Sequence, residues 1–143
     1  MHNAILDAAL AVVRGDGVPV FPATVNKRPC CKDWANVATT DPDALARLFS
    51  DPRAALVAMP TGAVSGADVL DIDPRHGGLD WYEANKYRLP PTRTVRTRSG
   101  GLHLYFQHAV GLRNSVSRIA PGVDIRADGG FVIRWDAHSA SVH

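Results

Sequence analysis

Residues 70–73, Leu70-Asp71-Ile72-Asp73, alternate apolar and acidic side chains and are closed by Pro74. Successive side chains of a strand face opposite sides, so Leu70 and Ile72 enter a core while Asp71 and Asp73 share the other face. The run predicts a strand over 68–73. Two carboxylates crowded on one face repel each other, and a hard divalent cation with a preference for oxygen ligands relieves that repulsion. Taken alone, such a pair is also what a solvated strand end looks like.

The same alternation recurs twice downstream. In Ser99-Gly100-Gly101-Leu102-His103-Leu104-Tyr105-Phe106 the apolar face is Leu102, Leu104 and Phe106, and Gly101, His103 and Tyr105 form the other. Gly100 and Gly101 allow close backbone approach, and unpaired amides in such a turn hold phosphate oxygens. His103 beside them is placed to donate to a polyphosphate. In Val123-Asp124-Ile125-Arg126, Val123 and Ile125 face inward while Asp124 and Arg126 face outward together. A third carboxylate allows two metals to be shared, and the arginine suits phosphate.

The remaining chain supplies helices and shorter strands. Residues 3–14 place Ile5, Ala8, Ala9, Val12 and Val13 on one helical face, with Gly15 as the stop. Val18–Phe21 and Ala55–Met59 read as strands, and Asp41-Pro42 as the N-cap and first turn of a helix through Phe49. Residues 26–40 read as irregular and carry Lys27, Arg28, Lys32 and Trp34. A helix is expected over Leu79–Tyr87 and a strand over Thr92–Thr97. A loop bearing Arg113 and Arg118 precedes 123–126, which is expected to form a hairpin with Phe131–Arg134 across Asp128-Gly129-Gly130. Helices with a mostly antiparallel C-terminal sheet predict an α+β, two-layer α/β domain.

Composition narrows the function classes. With 143 residues, the chain is expected to fold as one domain. A net charge of +2 permits nucleic-acid binding without demanding it. No window reaches the roughly 18 apolar residues of a membrane span, and the N-terminus does not read as a signal peptide. A cytoplasmic protein with no membrane partner is expected. The two cysteines, Cys30 and Cys31, are adjacent and the six histidines are scattered, so no zinc site is expected.

An acidic pair, a histidine some thirty residues on and a carboxylate some twenty further together resemble the three motifs of the archaeo-eukaryotic primase superfamily. More narrowly, Pro60 to Ile133 resembles the bifunctional primase-polymerase (prim-pol) domain of plasmid and phage replication proteins. The upstream Lys27, Trp34 and Ala38-Thr39-Thr40-Asp41-Pro42 look like that family's first segment.

The resemblance implies an N-terminal α/β unit (1–59) packed on an RRM-like module (60–143). That module is expected to be incomplete at its C-terminus, because a further helix and strand should follow. It implies Asp71, Asp73 and Asp124 as ligands of two Mg²⁺ or Mn²⁺ ions and His103 as a triphosphate contact. Arg126, Ser99 and the Thr61-Gly62 turn are further candidates for nucleotide contact. The implied activity is template-directed nucleotidyl transfer, a DNA primase or polymerase. Its partners would be single-stranded DNA, nucleoside triphosphates and a replicative helicase domain or subunit. The alternative is a non-catalytic DNA- or nucleotide-binding remnant of a replication initiator. One place departs from the pattern: the superfamily often carries serine two before the histidine, and here that residue is Gly101, leaving Ser99 or backbone amides to do its work.

Overall fold

The computed structural model describes residues 2–138. The first helix, α1 (Ala4–Asp16), starts where the Asn3 side chain accepts the Leu6 amide. It runs two residues past the expected end. Gly15 is tolerated within the helix, and Gly17, in the left-handed region, donates its N–H to the Val13 carbonyl and closes it. Strand β1 (Phe21–Ala23) follows, then a single turn, α2 (Trp34–Val37), within the stretch read as irregular. Helix α3 (Pro42–Leu48) begins as expected, with Asp41 accepting the Ala44 amide at 2.9 Å.

Strands β2 (Leu56–Pro60) and β3 (Ala67–Ile72) lie close to their expected positions. Helix α4 (Gly78–Asn85) ends in a 3₁₀ turn, Lys86–Arg88, ahead of Pro90. Then come β4 (Thr94–Arg96), β5 (Leu102–Gln107), β6 (Ser115–Ala120), β7 (Val123–Arg126), β8 (Phe131–Ile133) and a terminal 3₁₀ turn, Trp135–His138. Residues 139–143, the end of the expected RRM-like module, lie outside the described residues.

The strands form two antiparallel sheets, one of order β1-β2-β8 and one of order β4-β5-β3-β7-β6. Together with the four α-helices they make the mixed α+β, two-layer architecture that the strand patterns predict. The expected hairpin between β7 and β8 does not exist. β7 pairs with β3 and β6, whereas β8 pairs with β2 in the other sheet. The cause is the turn between them. Thr61 donates its hydroxyl to the Ala127 carbonyl and its amide to the Gly130 carbonyl, and the Ala63 amide bonds the Asp128 carboxylate. These bonds carry the chain from one sheet to the other. Arg118, expected in a loop, lies on edge strand β6.

Burial follows from this arrangement. α4 covers one face of the five-stranded sheet, packing Leu79, Trp81 and Tyr82 on Leu70, Ile72, Leu102, Leu104 and Val123. On the opposite face, Val69 joins Ala9, Val12, Leu45, Phe49, Val57 and Met59 under α1 and α3. Val95 joins Phe21, Leu56, Ile133 and Trp135. β2 feeds both of these cores and is buried along its whole length. Buried Arg134 bonds Asp16 and Asp136, and Arg93 pairs with the same two carboxylates, which ties the end of α1 to the terminal turn. Among the described residues, no helix is long and apolar enough to cross a membrane.

Candidate active site

The alternation read in three separate strands becomes one row of side chains. β3 lies between β5 and β7, and Asp71 is in register with His103 on one side and with Asp124 on the other. All three line a cleft of about 390 Å³. Trp34 and Phe131, from α2 and β8, line it too.

Neighbouring residues on adjacent strands have Cβ atoms about 4.5–5.5 Å apart, and like charges directly opposite destabilise a sheet. Asp71 and Asp124 are such a pair, and Arg126 relieves them. Its Nε lies 3.5 Å from Asp71 Oδ2 and its Nη2 lies 3.1 Å from Asp124 Oδ2. The other Asp124 oxygen accepts the Ser117 amide at 2.9 Å. His103 Nε2 lies 3.3 Å from Asp71 Oδ1. Burial alone pushes the Asp71 carboxyl up, but the hydrogen bond and charge of His103, with Arg126, outweigh it and hold Asp71 below the usual carboxylate range. His103 is only 4% exposed, and its Nδ1 is buried without a partner among the described residues.

Asp73 stands just past the end of β3, where its backbone N–H donates a hydrogen bond to the Gly122 carbonyl. Its carboxylate accepts the Arg75 amide, Nε and Nη2 at 2.8, 3.1 and 3.0 Å. Those bonds hold it below the usual range, although the Arg75 side chain is 79% exposed.

The glycine turn is built otherwise than its sequence predicts. The amides of Gly100 and Gly101 are not unpaired: they bond the Thr97 carbonyl and the Thr97 Oγ1, at 3.0 and 2.9 Å. A Cβ at Gly101 would lie 2.1 Å from the Ile72 carbonyl oxygen, so serine cannot occupy this position without displacing β3. The hydroxyls that do reach the cleft belong to Ser99 and Thr97, 3.3 Å apart. Thr97 was not singled out from the sequence, although a threonine just before a glycine turn is a known local backbone acceptor. Asn114, whose buried Oδ1 has no partner among the described residues, also lines the cleft, and nothing in the sequence marked it.

Thr61 and Gly62 stand apart from the row. Thr61 is 1% exposed and its hydroxyl is committed to Ala127, while Gly62 lies against Asp128, and neither lines the cleft. Of the basic loop, Lys27 and Trp34 line the cleft; Arg28 and Lys32 are exposed outside it.

The family model described as bifunctional DNA primase/polymerase, N-terminal, matches residues 9–140. The chain belongs to this primase/polymerase family. No curated protein matches it. The match contains all three alternating strands and nearly the whole chain, so the Asp71–His103–Asp124 row sits within a primase/polymerase domain. Membership implies nucleotidyl-transfer chemistry on DNA and nucleotide substrates, which in this family generally uses divalent metals.

The donor set suits such ions in kind, since three carboxylates line one cleft. Its observed arrangement is a different matter. Among the described residues, no three His, Cys, Asp or Glu side chains converge as metal ligands. Asp71, Asp73 and Asp124 are instead each held by a cationic side chain.

Proposed function

We propose that this chain is a template-directed nucleotidyltransferase, a DNA primase or polymerase of plasmid- or phage-type replication working in the cytoplasm. The observation that carries this reading is the register of Asp71 with both His103 and Asp124, which aligns the three motif strands along one cleft. Asp71, Asp73 and Asp124 are the residues that would hold Mg²⁺ or Mn²⁺. When bound, two such ions stabilise the attacking and leaving oxygens of an in-line displacement.

The protein's own part is positioning. His103, locked by burial and by Asp71, lines the cleft and would contact a triphosphate oxygen there. Arg126, beside Asp71 and Asp124 in the same cleft, would pair with a phosphate. Ser99 and Thr97 would offer hydroxyls beside it. The substrates are nucleoside triphosphates and a single-stranded DNA template.

One observation favours a second reading, a nucleotide- or DNA-binding domain without turnover: the carboxylates are paired with cations and do not converge. Triphosphate titration in the presence of Mn²⁺, paired with melting temperature, tests the site. His103→Ala should weaken triphosphate binding about ten- to hundredfold and leave Mn²⁺ binding nearly intact, as expected for losing a hydrogen bond to a charged group. Absence of triphosphate binding by the wild-type chain at millimolar concentration would refute the enzyme reading.

A further inference from the structure

The cleft is lined by more than the carboxylate row. The lysine and arginine side chains lining the cleft are Lys27, Arg75 and Arg126. Arg75 is engaged by Asp73, and Arg126 by Asp71 and Asp124. Among the described residues, Lys27 meets no carboxylate. It is thus the cation of the cleft whose charge awaits an anion.

Its backbone points the same way. Lys27 has φ +67°, a conformation that L side chains rarely adopt and glycine adopts readily. The turn that imposes it is closed by the Lys27 amide on the Thr24 carbonyl, at 2.9 Å, and by the Thr24 amide on the Arg28 carbonyl, at 2.7 Å. A lysine in a place that suits glycine is unfavourable for the fold, and strain of this kind concentrates where a side chain serves a ligand.

Beside it, Trp34 is clamped from behind. Its ring stacks on Phe21 with centroids 5.3 Å apart and 25° between planes, and meets Phe131 edge-on at 5.1 Å. An indole held on one side by a buried phenylalanine, and lining a polar cleft, is a pre-organised stacking surface. Every nucleobase has a π-face that such a surface accepts.

We propose that Lys27 and Trp34 form the nucleotide-holding wall of the cleft, with the Lys27 ammonium on a phosphate of the bound nucleotide and its base stacked on Trp34. This rests on the nucleotidyl-transfer reading and names how that site holds its substrate. It separates Lys27 from Arg28 and Lys32, which are exposed outside the cleft.

Calorimetric titration with dATP and with inorganic tripolyphosphate, each with Mn²⁺, tests the wall. Trp34→Leu should weaken dATP binding about tenfold and leave tripolyphosphate unchanged, while Trp34→Phe, which keeps a ring, should retain most of the dATP affinity. Lys27→Gly should weaken both ligands about tenfold while melting at the same or a higher temperature, since glycine fits the turn.

Equal loss of both ligands in Trp34→Leu, or unchanged affinity in either Trp34→Leu or Lys27→Gly, overturns the proposal while the enzyme reading stands. So does a Lys27→Gly variant that loses only single-stranded DNA binding. A wild-type chain that binds neither ligand overturns both.

Discussion

Arg126 bridges Asp71 and Asp124, its guanidinium 3.5 Å from the first carboxylate and 3.1 Å from the second. Its charge offsets the repulsion between two acids that strand register sets opposite each other.

Replacing it should therefore separate stability from metal affinity. Without metal, Arg126→Ala leaves the two acids facing each other and should destabilise the fold by about 0.2–1 kcal/mol. With Mn²⁺ the variant should bind more tightly than wild type and gain more melting temperature, because stabilisation by a ligand rises with its affinity. Thermal melts with and without Mn²⁺ measure both. An equal Mn²⁺ response in the two proteins would show that Arg126 does not compete with a metal.

Gly101→Ser restores the serine that the superfamily often carries, yet it should destabilise the protein. The new Cβ would meet the Ile72 carbonyl at 2.1 Å, and overpacking of this sort costs about 1–3 kcal/mol. Chemical denaturation measures it, and a neutral substitution would mean that β3 and the glycine turn separate easily.

Acid should unfold the protein through its terminal ion network. Burial alone pushes the Asp136 carboxyl up, but the hydrogen bonds and charge of Arg134 outweigh this and hold it below the usual value. Asp16, likewise buried in part, is held down by Arg134 and Arg93. Groups depressed in the folded state contribute stability above their unfolded pKa, about 3.9, which is lost as pH falls through the lower folded value. Arg134→Met removes the main partner and leaves the two part-exposed carboxylates to Arg93 alone. It should cost about 1.5–3 kcal/mol at neutral pH and move the acid transition upward. Denaturation curves across pH 2–7 check this, and an unmoved acid limb would assign acid unfolding to other groups.

Single-stranded DNA should follow the exposed cations of the loop around 26–33. An Arg28→Gln, Lys32→Gln double variant should weaken binding and reduce the slope of log affinity against log salt by up to about 1.4, since each phosphate contact to a single strand contributes about 0.7. An unchanged slope would place the strand elsewhere on the surface.

What was legible in the sequence follows from burial. The runs around Asp71, His103 and Asp124 could be read because in each the apolar residues face the α4 core while the polar one lines the cleft. Ser115–Ala120 could not. It is an edge strand, largely exposed, paired only near its two ends, and no face of it needs an apolar pattern. β8 was recognisable as a strand, but its partner was not. Pairing with β2 depends on hydrogen bonds from Thr61 and Ala63, which sequence spacing does not reveal. In the site, shared faces were readable, whereas the side-chain pairing was not. Nothing in Val123-Asp124-Ile125-Arg126 shows that Arg126 reaches Asp71 as well as Asp124.

The row of His103, Asp71 and Asp124 is proposed to serve nucleotidyl transfer. Extension of a primed single-stranded DNA with deoxynucleoside triphosphates and Mn²⁺ measures it directly, comparing wild type with Asp71→Asn, a nearly isosteric change. Wild type should extend the primer only when metal is present, and Asp71→Asn should lose at least a hundredfold in rate, in line with loss of a group that stabilises transition-state charge, at nearly unchanged melting temperature. Equal extension by both proteins, or extension by wild type after the metal is chelated, would contradict metal-dependent nucleotidyl transfer by this row.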